Sequence, residues 1–200
     1  VASYKTSFDV DNVILSGGTR TLLRADGPVN SFTQVPAPGR TGTWNYLELP
    51  DYQLAFRQSS LAGDARWVSR VATGNQVVSA RVRPVDFGTS SSGQDQWVGI
   101  AARYLDDSNY YYLTLRSSNR VSLRKLVNGT IQELGSATIP VTTGAWYDLR
   151  VEIIGSRIRA FVNGELKVQL TDPAAIGSGR NAMIMYKAVA DYTDYFVYQP

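Results

Sequence analysis

Hydrophobic and polar positions alternate along this chain with a period of two. Residues 77–84, 97–104, 110–116, 121–126, 149–153, 158–162 and 166–170 all follow the pattern. Side chains of an extended strand point alternately to opposite faces. These segments are also rich in β-branched and aromatic residues, so each is predicted to be a strand with one face in a core. Turn chemistry separates them at Asp106-Asp107-Ser108-Asn109, Ser117-Ser118-Asn119, Asn128-Gly129, Gly155-Ser156 and Asn163-Gly164. No window carries a helical period. Residues 172–176 are expected to form at most one helical turn, with Asp172 as N-cap and Pro173 at the first position. The pattern predicts an all-β chain, an antiparallel β-sandwich of two packed sheets with little or no helix.

Residues 52–200 read as one continuous unit. Residues 1–51 are less regular, with Gly17-Gly18, Pro28, Pro36 and Pro38, and are expected to be a strand and a loop insertion on the same domain. Alone they would be too small to hold a core without Cys or metal.

Composition narrows the chemistry. The chain has 200 residues, no Cys and no His. That excludes a disulfide scaffold, a thiol nucleophile, a Ser-His-Asp triad and imidazole metal ligation. The four Glu, at 48, 133, 152 and 165, are isolated, which disfavours a paired-carboxylate glycosidase. No basic segment followed by an apolar run opens the sequence, and no stretch approaches the length of a membrane span. The expectation is either a cytosolic chain or a mature piece of a secreted one. The formal charge is only +3, so what matters is where the arginines sit.

The run 97–104, then Asp106 to Leu113, then 121–129, then Gly144 to Glu152 and Arg159 to Gly164 resembles the concanavalin-like (laminin-G-like) jelly rolls. It looks like the carbohydrate-binding modules appended to secreted bacterial polysaccharide-degrading enzymes, pectate lyases among them. Leu54 to Ser60 resembles the first segment of that module, and the likeness runs over roughly residues 52–197. It implies a secreted module that binds polysaccharide and belongs to a longer chain with a catalytic domain. It also implies a structural Ca²⁺ between first and last strands, for which Asp9, Asp11, Asp191 and Asp194 are the candidates.

Strand parity sorts the faces. Val98, Ile100, Ala102, Tyr111, Leu113, Leu115, Val121, Leu123, Val78, Ala80 and Val82 are assigned inward. Trp97, Arg103, Tyr110, Tyr112, Arg116, Arg124, Arg81 and Arg83 are assigned outward, on one face free of acidic residues and kept shallow by Gly99 and Ala101. Aromatic rings suit sugar faces, and guanidinium forks suit carboxylates and hydroxyls. Trp97, Tyr110 and Tyr112 are therefore the expected sugar platforms, and the five arginines the expected donors. The expected ligand is a plant or algal polymer containing uronic acid, pectin or alginate. The later strands, with Arg150, Glu152, Arg159, Glu165 and Lys167 outward, read as an ordinary solvated sheet.

Two alternatives stand beside the non-catalytic reading. A polysaccharide lyase would use Tyr110 or Tyr112 as base with Arg103 and Arg116 as carboxylate neutralisers. A laminin-G-like module would bind protein. No nucleic-acid or membrane partner is expected, and the chain is expected to be monomeric.

Overall fold

The computed structural model describes residues 42–50, 54–89 and 95–200, together with the backbone of two strands at 20–25 and 32–34. The strands in chain order are β1 (Arg20–Ala25), β2 (Phe32–Gln34), β3 (Trp44–Glu48), β4 (Leu54–Gln58), β5 (Asp64–Ser69), β6 (Gln76–Phe87), β7 (Trp97–Asp106), β8 (Asn109–Arg116), β9 (Arg120–Val127), β10 (Thr130–Thr138), β11 (Tyr147–Ile154), β12 (Arg157–Val162), β13 (Glu165–Thr171), β14 (Arg180–Tyr186) and β15 (Ala188–Gln199). Among the described residues there is no helix. The expected all-β antiparallel sandwich is what forms.

Sheet A runs β13-β12-β11-β6-β15-β4-β3, with β1 also pairing with β15; sheet B runs β10-β9-β8-β7-β14-β5-β2. The hairpin turns form where Asn-Gly pairs predict them. Asn128 and Gly129, and Asn163 and Gly164, all take positive φ, as two-residue hairpin turns require. The segment after Asp172 is a turn rather than a helical one: Ala174 N–H donates to Asp172 Oδ1 at 3.0 Å, so the capping geometry is made without a helix behind it.

The core lies between the sheets. Val98, Ile100, Ala102, Tyr111, Leu113, Leu115, Val121 and Leu123 of sheet B meet Val78, Ala80, Val82, Leu149, Val151, Ile153, Ile158 and Ala160 of sheet A. The inward parity assignments therefore hold strand by strand. Full burial of such side chains stabilises by about 1.5–3 kcal/mol each.

Two polar pins cross the core's edge. The Tyr192 hydroxyl from sheet A lies within 3.2 Å of Gly99 N and 3.0 Å of Gly99 O. Lys125 Nζ sits 2.8 Å from Asp172 Oδ2, which also accepts from the Tyr111 hydroxyl at 2.6 Å. Burial pushes the Asp172 carboxyl up, but the bonds from Lys125 and Tyr111 outweigh it and hold it below its ordinary range. Gly99 has a role beyond keeping a face shallow. A Cβ there would collide with the Leu113 carbonyl, so the close approach of β7 and β8 requires glycine.

Candidate functional site

The outer face of sheet B carries an open groove of about 580 Å³ that crosses from β10 to β5. Strand register builds it. Tyr186, Trp97 and Arg116 are aligned on β14, β7 and β8. Ala101, Tyr112 and Arg124 are aligned on β7, β8 and β9. Between these rows runs a line of short side chains, Gly99, Thr114 and Ser122, which the larger neighbours cover: Arg116 Nη1 donates to Thr114 Oγ1 at 3.3 Å.

Rings form a continuous ladder along the groove. Trp97 lies 6.2 Å from Tyr186 and 5.7 Å from Tyr112, Tyr112 is 5.3 Å from Tyr110, and Tyr110 stacks on Tyr104 at 5.0 Å. Trp97 and Tyr186 are half-exposed. Tyr110 and Tyr112 are almost wholly buried, so they form the floor that props Trp97 rather than platforms of their own. At the β5 end the Arg66 guanidinium caps the Tyr110 ring at 5.0 Å.

Each arginine of the groove holds a carboxylate. Arg66 pairs with Asp64 at 3.1 Å and Asp107 at 3.2 Å. Arg116 pairs with Asp95 at 2.9 Å, and Arg124 with Glu133 at 2.9 Å. Burial pushes the Asp95 carboxyl up, but the bonds from Arg116 and Ser118 hold it below its ordinary range. The acids stand outermost. Asp64 and Asp107 side chains are 26% and 38% exposed against 5% for Arg66, and Asp95 is 27% exposed against 6% for Arg116. The expectation of an acid-free face is therefore corrected: the groove faces solvent with hydrogen-bond acceptors over buried donors.

Of the expected site residues, Trp97, Tyr110, Tyr112, Arg116 and Arg124 come together here. Arg81 and Arg83 do not. They point outward, as parity predicts, but β6 belongs to sheet A, so they lie on the opposite side of the sandwich. Arg103 is also elsewhere. A register shift follows Ala102, Arg103 takes φ 47°, and its side chain turns to the loops at the end of the sandwich. There it donates to the Gly74, Ile176 and Gly155 carbonyls at 2.7, 2.7 and 2.8 Å and is buried. It ties loops together and offers nothing to a ligand.

Parity missed Asp64, Arg66, Asp95, Asp107 and Tyr186. Strand β14 is apolar on both faces and gives no alternation to read, Asp95 precedes its strand, and Asp107 lies in the turn expected only as a connection.

Of the calcium candidates, Asp9 and Asp11 lie outside the described residues. The Asp191 carboxylate is already engaged by Arg57 and Arg83. Asp194, at a bulge in β15, has no pair of acidic neighbours, and no group of three potential ligands occurs among the described residues. The described residues do not fit a Ca²⁺ site.

Neither a protein-family model nor a curated protein matches the chain. Solved structures do match. A carbohydrate-binding module of Bacillus subtilis named CBM66 aligns with 82% of this chain and 93% of its own, at 17% identity and TM-score 0.66. A β-glucanase of Bacillus licheniformis aligns with 93% of this chain and all of its own, at 10% identity and TM-score 0.63. The GH43 protein BlXynB of the same organism aligns with 88% of this chain but 38% of its own, at 17% identity and TM-score 0.60. At these identities the likeness is one of fold.

Proposed function

We propose that the chain is a non-catalytic carbohydrate-binding module whose ligand, a polysaccharide, lies in the groove of sheet B. The observation that carries this reading is the groove itself: a half-exposed Trp97–Tyr186 ring pair, held on β7 and β14, beside outward carboxylates. Sugar rings have apolar faces that pack on aromatic rings, and their hydroxyls donate to carboxylates and accept from guanidiniums. The fold shared with the module CBM66 supports the reading. The partial match within the longer BlXynB chain supports a module that works beside other domains. In a secreted enzyme it would hold the catalytic partner on its polymer and raise the effective substrate concentration.

The finer expectation, a uronate polymer such as pectin or alginate, draws on five arginines, of which Arg116 and Arg124 lie in the groove. Both already hold carboxylates, and the acids of the groove stand outermost. A uronate chain would meet like charge there, whereas neutral hydroxyls meet acceptors. The groove is therefore read as a site for neutral sugar units. Burial raises the pKa of Tyr110 and Tyr112, away from what a tyrosine base needs, and this supports the non-catalytic reading.

Affinity electrophoresis through xylan, cellulose-type glucan, pectin and alginate tests the reading. Retardation by a neutral polymer that Trp97→Ala removes is expected. No retardation by any polymer, or the ultraviolet rise of an unsaturated lyase product, overturns it.

A further inference from the structure

The opposite face carries charge chemistry that the groove does not use. On sheet A, Arg57, Asp191 and Arg83 form one cross-strand row over β4, β15 and β6. Asp191 is fully buried and is shared. Arg57 donates Nε to Oδ1 at 2.6 Å and Nη2 to Oδ2 at 3.0 Å. Arg83 donates Nε and Nη2 to Oδ2 at 2.8 and 2.6 Å. One carboxylate balances one guanidinium, so the row keeps a unit of positive charge. Here the arginines stand outermost, 31% and 23% exposed over a carboxylate with none.

An aromatic surface lies beside the surplus charge. The Arg83 guanidinium is 4.7 Å from the Trp146 ring and the Arg81 guanidinium 5.4 Å from it. Trp146 itself is half-exposed. Asp148 is the acid nearest Arg81, but at 3.8 Å it is beyond hydrogen-bond distance, and its side chain is 70% exposed. It can swing away without leaving a buried charge. Arg81 also borders a depression of about 380 Å³, in which Ser79, Phe196 and Tyr198 offer a short polar side chain and two rings. Asp148 and Asp194 line the same depression, so the rest of it suits hydroxyls rather than more acid.

We propose that Arg57, Arg81, Arg83 and Trp146 form a second site that takes a carboxylate-bearing sugar, a uronate unit of an acidic polysaccharide. The carboxylate lies against the outward donors of Arg81 and Arg83, and the sugar ring packs beside Trp146. The guanidinium edges not turned to Asp191 favour a planar carboxylate. A surplus of one charge is too small to hold a nucleic-acid strand, which needs many phosphate contacts. The site is separate from the groove of sheet B and stands whether or not that groove binds sugar.

The test is affinity electrophoresis of the whole chain through polygalacturonate and through a neutral glucan, at low and high salt, with a single-stranded oligonucleotide as a third probe. Polygalacturonate is expected to retard the protein in a salt-sensitive way. Arg81→Gln and Arg83→Lys are each expected to weaken that retardation about threefold, and Arg81→Gln with Trp146→Ala together about tenfold. None of these should alter retention by the neutral glucan. Arg83→Lys keeps a charge next to buried Asp191, so it guards against loss through misfolding. Absence of polygalacturonate retardation, its loss on Trp97→Ala with Trp146→Ala silent, or equal Arg81-dependent retention of the oligonucleotide would each overturn the proposal. Failure of every neutral polymer, xylan as well as glucan, to retard the protein would overturn the reading of sheet B instead.

Discussion

The two outer faces use the same residue types in opposite order. On sheet B, Arg66 and Arg116 are buried and their partners Asp64, Asp107 and Asp95 stand above them. On sheet A, Asp191 is buried and Arg57 and Arg83 stand above it. Rings do not follow this inversion: guanidiniums lie over rings on both faces, Arg66 over Tyr110 on sheet B, and Arg83 and Arg150 over Trp146 and Phe161 on sheet A. Net charge hides this difference, since the surplus positive unit around Asp191 and the surplus negative unit around Arg66 cancel in the sum. What a ligand meets is decided by which partner of each ion pair is exposed.

The two faces differ most at the small residues beneath them. Gly99→Ala on sheet B should destabilise by more than about 3 kcal/mol, because the new Cβ meets the Leu113 backbone, which cannot move aside. Ser79→Ala, its counterpart on sheet A, should change stability by less than about 0.5 kcal/mol. Chemical denaturation of both variants measures the contrast, and a tolerant Gly99→Ala would mean the two strands are less closely held than described.

Next in size is the pin under sheet B. Lys125→Met leaves Asp172 buried without its cation and should cost about 3 kcal/mol. The same carboxyl sets an acid limit. Asp172 and Asp95 are held below their ordinary values in the folded state. Their contribution is therefore complete above the unfolded value of about 3.9 and is lost as pH falls through the lower folded values. Thermal unfolding should show a falling melting temperature below about pH 4. Asp172→Asn should flatten part of that fall, and an unchanged acid profile would contradict the assignment.

A smaller effect sharpens the functional contrast. Trp97→Ala should weaken neutral-polysaccharide binding about tenfold, whereas Phe196→Ala on the other face should leave it unchanged. The smallest effect is expected at the rim. Glu133→Gln removes partly exposed pairs with Arg124 and Arg120 and should cost less than about 1 kcal/mol of stability by denaturant titration.

Much of this fold was legible in the alternation of the chain. Strands β7, β8, β9, β11 and β12 each turn one apolar face to the core, so parity separates Ile100 from Trp97 and Leu113 from Tyr112 correctly. Parity cannot say which strands share a sheet. That is settled by pairing between residues far apart in sequence, and β6 joins β11 and β15 rather than β7. Arg81 and Arg83 thus keep their predicted direction and change their face. Arg103 was illegible for a local reason: a non-glycine residue at positive φ shifts the register and turns its side chain away, and nothing in the run 97–104 marks the bulge. Strand β10 was missed because it is a sheet edge with exposed positions on both faces, and β14 because it is buried on both.

The four tryptophans provide the most direct test of the central claim. Trp97 sits in the groove of sheet B, Trp146 lies on sheet A, and Trp44 and Trp67 pack against the core. Their indole N–H signals can be followed together by heteronuclear NMR during titration with a neutral glucan or xylan oligosaccharide. The Trp97 signal is expected to shift in a saturable way while those of Trp44, Trp67 and Trp146 stay in place. A saturable shift of Trp146 with Trp97 unmoved, or no shift with any oligosaccharide, would contradict it.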